Sequence, residues 1–204
     1  MLFSFQNITH DFNGKKLFTD IGFTMNEGSL LALRGANGSG KTTLLKILAG
    51  LIRPRYGFIF FDDFEISEDI SRYHSQLNFL GHKNALDKDF TVLENLKFFA
   101  ALVNRRETLD AVIKYFALEP MLGTKVKELS AGWQRRIALA RLMIKKSKIW
   151  LLDEPFTNLD EDIIDITLKM IATFCDQDGI VILSSHQAIK LPFGMKMELA
   201  DFKG

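Results

Sequence analysis

Apolar and polar residues alternate along the start of the chain, from Leu2 to Met25, on either side of Asn13-Gly14. Alternation with a period of two is typical of strands with one buried face, and Asn-Gly favours a tight hairpin turn. This segment therefore predicts antiparallel strands near the edge of a sheet.

Three later segments are short, unbroken apolar runs, the pattern of parallel strands that are covered on both faces. They read SLLALRG, KIWLLDEP and GIVILSSH. The first is followed by KTTLLKILAGL, in which leucine and isoleucine recur at helical spacing, so the order there is strand, loop and helix. These runs predict an α/β core with a mainly parallel sheet.

A helical region is expected between the strand patterns, over about residues 84–128. It contains TVLENLKFFAALV and TLDAVIKYFAL, is broken at Pro120 and Gly123, and has no strand-like run. Because no linker, repeat or low-complexity tract separates the parts, we predict one domain over residues 1–204. The helical part would form a subdomain that extends into the helix after it.

Composition narrows the classes of function. With 26 Lys and Arg against 25 Asp and Glu, the net charge of +1 provides no basic field for nucleic acid, which is not an expected partner. The apolar runs are shorter than the roughly 20 residues of a membrane-spanning helix, and no secretory signal is visible. Cys175, the single cysteine, cannot form an internal disulfide and is expected to be a small buried apolar residue. We expect a cytosolic protein.

The segment GANGSGKT matches the pattern G-x-x-x-x-G-K-[ST] between a predicted strand and a predicted helix. Its glycines permit positive φ angles, so that backbone amides and the helix N-terminus can face an anion. Lys41 can reach the β and γ phosphates of ATP, the Thr42 hydroxyl can bind Mg²⁺, and Thr43 can bond a nearer phosphate. The alternative is a glycine-rich turn that only caps a helix. The predicted ATP-binding residues here are Gly35, Ala36, Asn37, Gly38, Ser39, Gly40, Lys41, Thr42 and Thr43.

Two acids, Asp153 and Glu154, end the apolar run IWLLDEP. In parallel sheets, ligands bind beyond the carboxyl ends of the strands. Asp153 fits the role of holding Mg²⁺ through a water, and Glu154 fits a general base that orients the attacking water. Alternatively, both are solvated loop acids or helix caps.

The run LSAGWQRRIALAR, just before the carboxylate strand, resembles the signature sequence of ATP-binding cassette (ABC) ATPases. The resemblance implies the ABC ATPase fold, with an N-terminal antiparallel β platform, a mainly parallel core sheet and a helical subdomain. Ser130 is expected to cap the signature helix, and Gly132 to allow close approach of a phosphate. In the family, this turn faces ATP held by a second subunit, which implies a homodimer with ATP between its copies.

Further site residues follow from the same resemblance. Phe12 occupies the position that stacks on adenine, although it could equally be a core residue. Asp160 in FTNLD resembles the residue that couples the two active sites, and it could also cap the next helix. His186 resembles the histidine that contacts the γ-phosphate, although a lone histidine is more often structural. The implied catalytic residues are Glu154, His186 and Lys41.

Two positions depart from the family pattern. His82 stands where most cassettes have a glutamine, so the contact of this position with metal or water is in doubt. Trp133 replaces the usual glutamine of the signature and is expected to change packing at the ATP-facing turn.

One subfamily is similar along almost the whole chain: the ATP-binding subunits of bacterial cytochrome c maturation, described as haem exporter ATPases. The resemblance implies ATP hydrolysis with Mg²⁺, separate membrane-spanning partner subunits, and a peripheral position at the cytoplasmic face of the inner membrane. No CxxCH motif or cluster of His and Cys is present that would ligate haem directly. The shared segments are GKTTLLKILAGLIRP, LGH, TVLENLKFF, LSAGWQRRIALARL, LLDEPFTNLD and GIVILSSHQ.

Other functions remain open. The chain could serve another small-molecule ABC exporter, or act on ribosomes or DNA as a soluble cassette, although such relatives carry tandem cassettes or basic extensions. A simple P-loop kinase leaves the LSAGW segment unexplained.

Overall fold

A computed structural model describes residues 2–12, 14–186, 191 and 193–202, without the side chains of Phe12 and Lys15. The strands are β1 (Leu2–Phe12), β2 (Lys15–Asn26), β3 (Leu30–Arg34), β4 (Tyr56–Phe61), β5 (Phe64–Glu65), β6 (Leu77–Leu80), β7 (Ile149–Asp153), β8 (Ile180–Ser184) and β9 (Met195–Glu198). The helices are α1 (Lys41–Leu48), α2 (Ile70–Ser75), α3 (Val92–Leu102), α4 (Leu109–Tyr115), α5 (Ala131–Ile144) and α6 (Glu161–Asp176). Short 3₁₀ helices cover Arg106–Thr108, Glu119–Met121, Val126–Glu128 and Leu199–Phe202.

The chain divides into two compact units. The first consists of Met1–Phe79, Ser147–Glu154 and Ile171–Gly204, and the second of Leu80–Lys146 and Pro155–Met170. The helical region expected over residues 84–128 lies within the second unit. Treating residues 1–204 as one domain remains a prediction.

Two sheets form the first unit. An antiparallel sheet has the strand order β2-β1-β4-β5, in which β1 and β2 pair from Leu2 opposite Asn26 to Phe12 opposite Lys15, with shifts of register between Phe5 and Asp11. The second sheet has the order β6-β7-β8-β3-β9, and β7, β8, β3 and β9 pair in parallel. The predicted antiparallel platform and parallel core are therefore confirmed.

Helix α1 packs its apolar stripe into the core of the first unit. Leu44, Leu45, Ile47 and Leu48 are fully buried, and the helix contacts β7 and β8. Because α1 follows β3 through one short loop, its N-terminus lies at the carboxyl edge of the parallel sheet, where β7 also ends.

Cys175 near the end of α6 is buried, as predicted. Its thiol lies 3.8 Å from the carbonyl oxygen of Ser29, and burial raises the pKa of the thiol to about 12. This thiol is therefore uncharged at neutral pH and packs as an apolar group.

The second unit is built from α3, α4 and α5, which pack on one another. Thr91 and Glu94 form a capping box at the start of α3. A lone antiparallel bridge joins Thr91 and Lys125. In the described parts of the chain, no helix combines the length and apolarity needed to cross a bilayer.

Candidate functional site: a phosphate loop and its carboxylates

The loop before α1 has the backbone conformation of an anion cradle. Gly35, Gly38 and Gly40 have φ angles of 142°, 77° and 99°, which L side chains rarely adopt. A Cβ on Gly40 would lie 3.0 Å from Cε1 of the buried Phe18, so space also requires glycine there. Among the described residues no side chain caps α1 at Gly40, which leaves the first amides of the helix to bind an anion.

Two polar side chains of the loop, those of Lys41 and Ser39, are buried. The Lys41 ammonium donates to the carbonyl oxygens of Gly35 at 2.7 Å and Ala36 at 3.2 Å, which holds it across the loop. The Ser39 hydroxyl is buried and has no hydrogen-bond partner within the described residues. Because buried polar groups are normally hydrogen-bonded, this arrangement fits the phosphate groups of a nucleotide.

Asp153 is the polar centre of the carboxyl edge. Its side chain is 1% exposed and accepts hydrogen bonds from the hydroxyls of Thr42 at 2.8 Å and Ser184 at 2.7 Å. Mg²⁺ prefers oxygen ligands and is usually held by one or two protein groups together with waters and phosphates. The side-chain oxygens of Thr42 and Asp153 are therefore suitable ligands for Mg²⁺ beside the phosphate loop.

Glu154 directly follows β7 and has a strained backbone conformation. Its φ is 50°, a left-handed conformation that costs a non-glycine residue on the order of 1–3 kcal/mol. The backbone N–H donates to the Ser184 hydroxyl at 2.9 Å. The carboxylate lies 2.9 Å from Nδ1 of His186 and accepts from the His186 backbone N–H at 3.2 Å. Since these two side chains meet at the end of β7, they can act together on a water.

The predicted residues of the second unit have local structural roles in the structure. Ser130 caps α5 by accepting from the backbone N–H of Trp133 at 3.3 Å. Asp160 accepts from the N–H of Ile163 at 2.9 Å in the first turn of α6. A Cβ on Gly132 would lie 2.5 Å from the carbonyl oxygen of Asn158, so this position has no room for a side chain. Their ATP-facing and coupling roles remain predictions.

Two predicted contacts cannot be placed against the phosphate loop. The backbone of Phe12 ends β1 opposite Lys15, and its side chain lies outside what the structure describes. His82 is exposed in the loop after β6, in the second unit. The roles of Phe12 at adenine and of His82 at the metal stay predictions.

Sequence reasoning missed Ser184 and Arg135. Ser184 links the Asp153 carboxylate to the Glu154 backbone, and its only signal is a serine at the end of an apolar run. Arg135 in α5 is 4% exposed and donates to Gly81 O, Asn84 Oδ1 and Pro155 O. It thus ties the loop around His82 and the residue after Glu154 to the signature helix. Arg135 stands at helical spacing from Ala138 and Leu142, so its charge lies on the apolar face of α5. A charged residue at such a position is the sequence signal that could have identified it.

Known proteins share this organisation. The family model for ABC transporters matches residues 18–157. The chain is 40% identical over 197 residues to the cytochrome c biogenesis ATP-binding export protein CcmA of Wolbachia pipientis wMel, covering 97% of this chain and 92% of that protein. It is 37% identical over 177 residues to CcmA of Escherichia coli strain K12, covering 87% and 85%.

A solved structure, described as a putative ABC transporter ATP-binding protein from Pyrococcus furiosus, superposes with a TM-score of 0.85 at 25% identity, with both chains fully covered. The family model, the relatives and the fold agree with the geometry of the phosphate loop. The chain belongs to the ABC transporter family, and within it to the cytochrome c biogenesis ATP-binding export proteins, which makes it an ATP-binding ATPase subunit.

Proposed function

We propose that this chain hydrolyses ATP with Mg²⁺ as the motor subunit of a membrane complex for cytochrome c maturation, in haem export or release of a haem chaperone. The observation that carries the proposal is the connected set at the carboxyl edge of the parallel sheet. Thr42 and Ser184 bond Asp153, and Ser184 also bonds the Glu154 backbone. Glu154 in turn holds His186.

In this mechanism the chain binds the phosphates of ATP and orients and activates the attacking water. Lys41 and the loop amides bind the phosphate oxygens, where negative charge develops during cleavage. Thr42 and Asp153 would hold Mg²⁺, which supplies further charge neutralisation when bound. Glu154 orients the attacking water and accepts its proton, and His186 fixes the carboxylate beside the γ-phosphate.

Two copies would complete each site. We infer that Ser130 and Gly132 of a second copy face the ATP held by the loop of the first, with Asp160 coupling the two sites and Phe12 stacking on adenine. The start of α5 supports this role: among the described residues, the Ser130 side chain bonds only the N–H of Trp133, and the other first amides of a helix attract a phosphate. Closure of the pair then converts ATP binding into motion of the attached subunits.

The membrane partners would dock on an apolar cleft of the second unit, the α3 cleft. It has a volume of about 390 Å³ and is lined by Phe90, Phe98, Phe99, Leu102 and Arg141. Phe98 and Leu102 both lie on α3, and their side chains are 63% and 71% exposed. Exposed apolar patches of this kind mark protein contacts, which supports docking of a partner subunit here. The resemblance to cytochrome c biogenesis proteins supports, in this proposal, a position of the complex at the cytoplasmic face of the inner membrane. No haem ligand is assigned to this chain.

Substitution Glu154→Gln tests the chemistry. Loss of the general base should lower the rate of ATP hydrolysis by about 10²- to 10⁴-fold, while ATP and Mg²⁺ still bind. The measurement is steady-state hydrolysis together with nucleotide binding, and Glu161→Gln, at an exposed position at the start of α6, is the control. Wild-type turnover by Glu154→Gln would remove Glu154 from its assigned role.

Substitution Phe98→Glu separates the motor from its partner. It should leave hydrolysis by the purified chain unchanged and abolish maturation of cytochrome c in cells, because a charge enters the apolar contact. Normal maturation would place the membrane contact elsewhere.

A further inference from the structure

A second apolar cleft lies in the first unit, away from the phosphate loop, at one edge of the antiparallel sheet. This β4 cleft has a volume of about 830 Å³ and is lined by residues near the end of α1, of the segment between α1 and β4, of β4, and of the segment from the end of β5 to the start of α2. That volume is within the roughly 300–1,000 Å³ of ordinary ligand pockets. Its apolar walls include Ile47, Ile52, Ile59, Ile66 and Ile70.

The edge of the sheet is open along this cleft. Strand β5 pairs only with Phe60 and Phe61 in the described residues, and one more hydrogen bond joins Ile66 N–H to Ile59 O at 3.0 Å. The first half of β4, Tyr56–Phe58, has β1 on one side and no described strand on the other. An open strand edge can take another extended chain as an added strand.

Exposed aromatic rings flank the open edge. Tyr56 is 62% and Phe58 55% exposed, and the Phe58 and Phe60 rings lie 6.4 Å apart on the same face of β4. Large exposed aromatic side chains beside an apolar cleft are typical of contact surfaces. Side chains of an added strand would lie beside these rings.

The charges at the cleft select one kind of occupant. Three charged residues line the cleft: Arg55 pairs with Asp11 at 3.0 Å, and Glu65 accepts from the Ser67 hydroxyl at 2.6 Å. Exposed Arg53 has no hydrogen-bond or ion-pair partner in the part of the chain that the structure describes. Arg53 precedes the N-terminal end of β4. A strand that extends the antiparallel order of β5 would bring its C-terminal end to Arg53, where a carboxylate would be paired.

We propose that the β4 cleft binds an extended, mainly apolar segment of a partner protein, added as an antiparallel strand beside Tyr56–Phe58 with a carboxylate at Arg53. The strand edge provides backbone hydrogen bonds, the isoleucine walls take alternate side chains, and Arg53 fixes direction and register. The site is separate from ATP hydrolysis and from the α3 cleft.

Selection of peptides on the full chain tests this. The probe is a phage library of random peptides of about eight residues with free C-termini. At about 3.3 Å per residue in an extended strand, such a peptide is longer than the open edge Tyr56–Phe58. Enriched peptides should alternate apolar residues and carry Asp, Glu or the terminal carboxylate at the C-terminal end. The affinity of the enriched peptide, made synthetically, is then measured by fluorescence anisotropy.

Variants locate the binding. Phe58→Glu and Arg53→Glu should each weaken the peptide by about tenfold or more, and Arg53→Lys by much less. Phe98→Glu, an equally exposed phenylalanine in the α3 cleft, is the matched control and should bind as wild type. ATP hydrolysis should be unchanged in all four variants, which shows that they are folded.

Several results would overturn the proposal. They are no enrichment over the Phe58→Glu chain, peptides with helical i, i+4 apolar spacing, and affinity that does not depend on Arg53. Amide exchange of the chain with bound peptide provides a second measurement, in which Gly57 should become protected, whereas Phe58, which pairs with Gln6 of β1, should not change. Protection confined to the second unit would also contradict it.

Discussion

At the scale of single residues, Ser184 bonds both Asp153, the proposed Mg²⁺ ligand, and the backbone of Glu154, the proposed general base. Substitution Ser184→Ala should lower kcat by about 10- to 100-fold, because Glu154 and Asp153 lose a shared partner and shift. The partly buried Glu154 N–H also loses its acceptor, which should lower the free energy of unfolding by about 1 kcal/mol. The measurements are ATP hydrolysis across Mg²⁺ concentrations and urea unfolding.

Thr167→Ala is the control for Ser184→Ala. The Thr167 hydroxyl is also fully buried and donates to the carbonyl oxygen of Ile163 at 2.7 Å, away from the carboxylates. The Thr167→Ala substitution should lower the free energy of unfolding without changing kcat or the Mg²⁺ concentration that hydrolysis requires. Equal kcat values for the two variants would show that Ser184 is only a packing residue.

Gly132 is required by local packing as well as by the role proposed for it at ATP. Because an added Cβ would meet the Asn158 carbonyl oxygen at 2.5 Å, Gly132→Ala should lower the free energy of unfolding by about 1–3 kcal/mol without nucleotide. Gly123→Ala is the control, since nothing lies within 4 Å of its Cβ position. Urea unfolding of both variants measures the difference, and equal stabilities would contradict the close approach.

At the scale of elements, the start of α3 is fixed by reciprocal bonds between Thr91 and Glu94. Glu94 N–H donates to Thr91 Oγ1 at 3.2 Å, and the Thr91 backbone N–H donates to Glu94 Oε2 at 2.8 Å. This second bond is the main reason that the pKa of Glu94 lies below its ordinary value. The contribution of the carboxylate is therefore present at neutral pH and is lost as the pH falls through that lowered pKa.

Substitution Thr91→Ala should lower the free energy of unfolding by about 1 kcal/mol, because the cap of α3 is lost. Amide exchange at Glu94 should accelerate most, since its N–H loses its acceptor. Thr108→Ala is the control for amide exchange: Thr108 occupies the same position before α4 and makes no side-chain cap there, and its hydroxyl donates instead to the carbonyl oxygen of Arg105 at 2.7 Å. Exchange in the first turn of α4 should therefore stay unchanged in Thr108→Ala, and unchanged exchange at Glu94 in Thr91→Ala would show that capping is not the cause.

Periodicity and motif position were sufficient to predict most elements. Apolar runs predicted β3, β7 and β8 because parallel strands are covered on both faces, and the phosphate loop was predicted by its glycines and Lys41. The positive φ of Glu154 and the approach of Asn158 to Gly132 depend on contacts between distant segments. No local pattern encodes such contacts, so these features could not be predicted. The β4 cleft was missed for the same reason.

At the scale of the whole molecule, the division into two units separates the predicted halves of the ATP site. The phosphate loop and Glu154 belong to the first unit, and Ser130 and Gly132 to the second. The resemblance to ABC ATPases predicts that the halves that meet at one ATP come from different copies.

Mixing two inactive variants tests the paired site. Lys41→Ala removes the phosphate ligand, and Ser130→Asp keeps a capping side chain for α5 but adds a negative charge that repels ATP phosphates. Each variant alone should fail to cleave bound ATP in a single turnover. A mixed pair restores one intact site, formed by Lys41 of one copy and Ser130 of the other, so random mixing should recover roughly a quarter of wild-type cleavage.

The control for this mixture combines Lys41→Ala with a copy that carries both substitutions. Its mixed pairs contain no intact site and should stay inactive, which excludes a general effect of mixing. Native mass spectrometry measures the fraction of mixed pairs in both samples. If mixed pairs form in the first mixture and cleave no ATP, each site must be completed within one chain, because only a site shared between copies can be restored by exchanging partners.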